Sequence, residues 1–219
     1  MRILIVLLII IGLMGCERKL ENNNLPKDAL HDIAQAERDF YISGYLDSYK
    51  KFSSDKEGKS ILELLVRPNQ MPWPDPYAQV RVDMLSNLNN EVKATRYEQE
   101  HPVKNFKVSS FTVNSMNVDL YPFVWNRVEF RSTYTPKNIQ LLTDWTTKWM
   151  DLEDKNPVDK NGLSGAIHSV TYPSSNNSFW YFMVDFGSAP TQSLDELLAV
   201  LSSMGVTNIT VGSFSPIQQ

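Results

Sequence analysis

The chain has 219 residues, of which 42% are hydrophobic and 21% charged, a balance that suits one folded domain of moderate size, or one compact domain with a helical extension. Its formal charge is −4, without the clustered Lys and Arg that displace counterions from nucleic acid, and that class of partner is excluded. A single cysteine excludes an intramolecular disulfide, a CxxC redox pair and a thiolate metal cluster, so the fold must rest on packing, for which five Trp, nine Tyr and ten Phe supply apolar area.

Arg2 is followed by an apolar run, Ile3 to Leu13, broken only by Gly12. The run is shorter than the roughly 20 apolar residues a bilayer-spanning helix needs, and it reads as the h-region of a signal peptide. It ends in Leu13-Met14-Gly15-Cys16. That order resembles the lipobox of bacterial lipoproteins: a branched apolar residue, a tolerant position, a small residue, then cysteine. Met14 departs from the Ala or Ser more usual at its place. The resemblance covers residues 1–16 and implies cleavage before Cys16 and acylation of Cys16, which consumes the only thiol. Glu17, where enterobacterial lipoproteins kept at the inner membrane tend to carry Asp, points to an outer-membrane anchor facing the periplasm, with the inner membrane as the alternative. The alternative reading of the same run is an uncleaved signal anchor or a buried N-terminal helix.

Residues 16–27 then form the lipidated cysteine and a polar tether, with Asn22, Asn23 and Asn24 in succession. The spacing of Leu30, Ile33, Ala34, Phe40, Tyr41, Tyr45 and Tyr49 predicts a helix from Asp28, as cap, to about Phe52, stopped by a charged stretch containing Gly58. Ile61 to Val66 is a short apolar segment. Pro68, Pro72, Pro74 and Pro76 forbid regular helix or central strand in the loop that follows. Val80, Met84, Leu85, Leu88 and Val92 recur at three and four, which predicts a second helix over Tyr77 to Gln99, ended before His101-Pro102. Residues 28–102 are thus expected to be a mainly helical segment with a Pro-rich loop.

Residues 103–219 are expected to form an α+β domain. A β segment fits Phe106 to Val118, and alternation marks a strand over Phe123 to Thr133. Thr135-Pro136 reads as the start of a helix carrying Leu141, Leu142, Trp145, Trp149 and Leu152. After a loop over 154–162, Ser164 to Tyr172 reads as a strand, Pro173 to Asn177 as a turn, and Phe179 to Phe186 as a strand apolar on both faces, hence central. Ser193 with Glu196 has the pattern of a capping box opening a helix that Gly205 ends, and Thr207 to Phe214 is a last strand. From residue 123 the order is strand, helix, strand, strand, helix, strand, which matches the ferredoxin-like split β-α-β-β-α-β motif.

Catalytic signals are sparse. None of His31, His101 and His168 lies in an HExxH or HxH pair, and a metal site would need distant carboxylates to converge, so neither metal nor cofactor is expected. Asp185-Phe186-Gly187 copies the kinase DFG without any other kinase element. Gly162-Leu163-Ser164-Gly165 falls one residue short of a nucleophile elbow, although Ser164, His168 and Asp185 on neighbouring strands would offer a triad. Asp185 at the end of an apolar strand needs a partner or solvent, and the Gly187-Ser188 turn is the nearest local donor. Trp145, Trp149, Trp180, Tyr181 and Phe182 are spaced as a core first and as a ligand platform second.

Met71, Trp73 and Tyr77 stand in a segment that cannot bury itself as regular structure, and with Asp185 they are the candidates for contact with a partner. The chain is therefore expected to be a membrane-anchored periplasmic lipoprotein acting as a protein-binding module. In general form, signal plus α+β domain, it is similar to the immunity lipoproteins that neutralise antibacterial toxins. The alternatives are an envelope hydrolase using His168 and Asp185 as acid and base, and a structural lipoprotein tethering envelope layers.

Overall fold

Leu30, Ala34, Glu37, Tyr41 and Tyr45 follow one another at intervals of three and four, and all are buried on one stripe of helix α1 (Lys27–Ser54). The computed structural model describes residues 27–54, 59–69, 71–88, 91–103 and 107–214. Cys16, its signal segment, the Asp28 side chain and Phe106 lie outside the described residues. No described helix is long and apolar enough to cross a membrane.

Behind α1 the expected helical segment is instead largely β-structure. Strand β1 (Lys59–Val66) pairs antiparallel with β2 (Val80–Leu88), which pairs antiparallel with β3 (Glu91–Thr95), closing a three-stranded sheet. The helix expected over Tyr77 to Gln99 is thereby corrected. Its apolar residues do recur at three and four, but Arg81, Asp83 and Ser86 are buried as well, and a helix would have needed them on a solvated face. Pairing with β1 and ionic partners elsewhere in the fold decide the conformation, and neither shows in local periodicity.

The larger sheet uses the rest of the chain. Hairpin β4 (Ser109–Val113) and β5 (Met116–Leu120) is followed by β6 (Val128–Ser132), helix α2 (Gln140–Met150), short β7 (Ser169–Val170) and β8 (Ser174–Ser175), β9 (Trp180–Asp185), helix α3 (Gln192–Ser203) and β10 (Asn208–Gly212). The strand order is β4-β5-β10-β6-β9-β7, with β8 also paired to β9. Strands β6 and β9 are interior, as the apolar run around Phe182 requires, and their Phe130 and Phe182 rings stack 5.0 Å apart. The sheet extends past the expected four strands because β10 pairs in parallel with β5. The architecture is thus α+β, with three helices and two sheets among the described residues.

Several boundaries move. Helix α2 begins at Gln140, not at Pro136, with the Asn138 side chain accepting the Gln140 N–H. The capping box does not form: the Ser193 hydroxyl donates to the Pro190 carbonyl, and Glu196 is drawn to Lys148 and Trp149 on α2. Residues 164–168 are irregular, because their backbone is bonded across to α2 and β9 and does not run along a strand partner. One apolar cluster runs from Leu30 on α1 through both sheets to Val211 on β10. α1 touches β2 and β4, and β2 touches β7, so the two sheets meet where β2 passes β7.

Candidate functional site

At that meeting point the chain buries three carboxylates around one imidazole. The His168 N–H donates to the Asp185 carbonyl and the His168 carbonyl accepts from Arg81 N–H, wedging residue 168 between β9 and β2. Its ring is held at both nitrogens: Nδ1 lies 2.7 Å from Asp83 Oδ1 and Nε2 lies 3.0 Å from Glu63 Oε1. Glu63 comes from β1 and Asp83 from β2, so the imidazole ties the small sheet to the large one. Asp83 Oδ2 also accepts the Tyr97 N–H, and Glu63 Oε2 accepts both the N–H and the hydroxyl of Ser164. All four polar residues, Glu63, Asp83, His168 and Asp185, are buried.

The backbone is bent to allow this. Glu63 sits at φ +53° within β1, and the β1–β2 register skips the Glu63 and Asp83 positions between Leu62–Met84 and Leu64–Val82. A non-glycine residue in the left-handed region costs on the order of 1 kcal/mol, and such strain persists only where its surroundings over-determine it. Arg81, buried beside it, donates to the Glu63 carbonyl and to the carbonyls of Met150 and Asp151, and pairs with the Asp154 carboxylate at 2.8 Å. It thereby fastens the end of α2 to the same two strands.

Burial by itself would lower the His168 pKa, but hydrogen bonds to Asp83 and Glu63, with the charges of Glu63 and Asp185, hold it up at about 10. Burial pushes Glu63 up, and the bonds and charge of His168, with donors at Ser188 and Ser164, bring it down to about 2. Asp185 behaves differently. Desolvation and the neighbouring Asp83 charge raise it to about 6, against the lowering effects of His168, Arg96 and the Gly187 N–H. The site is thus an imidazolium gripped by two carboxylates, with a third carboxylate held less firmly beside them.

This arrangement limits the chemistry. With both ring nitrogens held against carboxylates, His168 can offer neither to a substrate or a metal without breaking one of these contacts. The Ser164 hydroxyl bonds Glu63 and not His168, so the Ser164–His168–Asp185 triad is not assembled. Distant carboxylates do converge, contrary to expectation: single ligand atoms of Asp83, His168 and Asp185 lie within 4.8 Å of one another.

The residues singled out in the sequence are dispersed. Met71 and Trp73 are each 39% exposed, and the Trp73 indole stacks on Tyr172 at 5.1 Å and 9°. Tyr77 turns inward, 2% exposed, with its hydroxyl 3.1 Å from that of Thr143, and cannot meet a partner directly. Asp185 is bonded to the Gly187 N–H, as the local turn suggested, and also to Arg96 at 2.9 Å. His31 faces Asp195, and His101 is exposed. Trp145, Trp180 and Phe182 are core residues. Glu63, Asp83 and Arg96 were not singled out, although an acid inside Leu62-Glu63-Leu64 and another inside Val82-Asp83-Met84 are the signals that point to them.

A cavity of about 300 Å³ opens beside the cluster, lined by the start of β2, the end of β3 and the start of β7. Val80, Val82 and Ala94 supply its apolar lining, Asp83, His168 and Asp185 with Arg81 and Arg96 the charged lining, and Thr95 and Ser169 complete it. Set against protein-family models, curated proteins and solved structures, the chain matches none.

Proposed function

We propose that the protein is a membrane-anchored lipoprotein, held through Cys16 and facing the periplasm, that acts as a protein-binding module. The observation that carries this reading is the Trp73–Tyr172 stack: a large aromatic side chain, exposed yet rigidly seated on a Pro-rich loop, is the kind of residue that dominates interface energetics at low entropic cost. The grip on His168 supports binding over hydrolysis, since the side chain that a hydrolase would use as base has no nitrogen to spare. Within binding modules, the immunity role is the specific form proposed here, with a secreted toxin as the partner and the strands β10-β6-β9-β7 read as a ferredoxin-like unit.

The test is capture of a stoichiometric partner by the full-length protein from envelope extracts and among the products of adjacent genes. A one-to-one complex lost in Trp73→Ala supports the reading; the absence of any stoichiometric partner ends it. Anchoring is tested separately with Cys16→Ser, for which release from the membrane fraction and an altered mass are expected.

A further inference from the structure

The cavity beside His168 combines three features. It has an apolar wall, Val80, Val82 and Ala94, and a buried carboxylate, Asp185, which is 5% exposed. It also has a movable counter-ion, since Arg96 on Asp185 has a side chain 56% exposed. Asp185 takes one bond from the Gly187 N–H and one from Arg96, although a carboxylate offers about four acceptor positions. Around it, Glu63, Asp83 and Asp185 face His168 and Arg96. With Arg96 seated these five charges sum to one negative, and with Arg96 swung out to two; Arg81, the other cation lining the cavity, is offset by its own partner Asp154 at 2.8 Å.

We propose that this cavity takes an alkylammonium group, as carried by a lysine side chain or a free primary amine, which replaces the Arg96 guanidinium on Asp185. The proposal rests on the binding-module reading and specifies what the partner would insert. An ammonium matches the negative surplus, and its three donors can be shared between Asp185 and the hydroxyl residues Thr95 and Ser169 that line the same space. Its methylene stem matches Val80, Val82 and Ala94, a wall that a bare metal ion would leave unused. Both nitrogens of His168 are committed to Asp83 and Glu63, which leaves carboxylates alone to a metal and favours the organic cation.

Calorimetric titration of the full-length protein in detergent micelles tests this with Nα-acetyl-lysinamide and n-butylamine, and with Nα-acetyl-norleucinamide as the neutral control. Saturable binding of either amine, and none of the control, is expected. Preference for the acetylated lysine assigns the site to a side chain, and binding of butylamine alone assigns it to a free amine. Asp185→Asn should abolish binding. Arg96→Ala should tighten it, by about fivefold or more, because it removes a competing ion pair whose carboxylate is buried and whose guanidinium is exposed. If Asp185→Asn does not fold, the sign of the Arg96→Ala effect decides. No amine binding, unchanged or weaker binding in Arg96→Ala, or binding of zinc or manganese ions in place of amines would overturn the proposal. Because the probes are small molecules, these outcomes are independent of whether Trp73 captures a protein partner.

Discussion

Gly187 stands directly against the His168 imidazole: a Cβ on Gly187 would lie 2.1 Å from His168 Cδ2, and the residue's φ is +49°. The glycine after the β9 strand is therefore part of what allows the ring to sit between Glu63 and Asp83. Gly187→Ala should destabilise the protein by about 2–4 kcal/mol, since the added methyl must displace a ring locked at both nitrogens and the backbone stays in the left-handed region. Urea unfolding followed by tryptophan fluorescence checks this. An effect below about 1 kcal/mol would mean that the ring has room to move.

Replacing the ring itself has a different consequence. His168→Ala leaves Glu63 and Asp83 buried without their shared cation, and the loss of one partner from a buried ion cluster costs about 3–5 kcal/mol. The double replacement Glu63→Gln with Asp83→Asn in the His168→Ala background should recover part of that loss, because it removes the uncompensated charges. Thermal melts of the unaltered protein and of these two variants measure the recovery. A double replacement that only adds further loss would assign the cost to the cavity and not to charge.

The same cluster predicts how stability depends on pH. His168 is raised from 6.5 to about 10, so its contribution is complete below 6.5 and is lost as pH rises through 10. Glu63 is lowered from 4.5 to about 2, so its contribution is complete above 4.5 and is lost as pH falls through 2. Asp185, raised from 3.8 to about 6, favours the folded state when protonated and withdraws that contribution as pH rises through 6. Stability should be greatest at about pH 4, where the Glu63 contribution is nearly complete and the Asp185 contribution has only begun to be lost, falling below that, falling again up to pH 6, and falling further above 6.5. Urea midpoints across pH 3 to 10 test this, and a maximum above pH 8 would contradict the assigned charges.

On the loop, Trp73→Ala should separate binding from folding. The indole is 39% exposed and its stack on Tyr172 is worth roughly 0.5–1.5 kcal/mol, so the melting temperature should fall only slightly. Partner capture should weaken by about 2 kcal/mol or more, on the order of thirtyfold. Tyr77→Ala should do the reverse, since Tyr77 is buried in edge contact with Tyr172: a clear loss of stability precedes any specific loss of binding.

What the sequence determined by itself was whatever local pattern can encode. The helical stripe from Leu30 to Tyr45, the interior position of the strand around Phe182, the helices carrying Leu142 and Leu197, and the bond between Asp185 and the following turn were all legible, because each depends on periodicity or near neighbours. The tertiary structure alone decided that Val80 to Thr95 is a hairpin, since its partner strand β1 is supplied from beyond the Pro-rich loop and its buried Arg81 and Asp83 are satisfied by distant residues. It also decided the centre of the molecule. His168, Glu63 and Asp83 are separated by 105 and 85 positions, and no spacing rule connects them. Only when the small sheet is laid against the large one do two acids, each misplaced within its own apolar strand, acquire the imidazole that makes their burial tolerable.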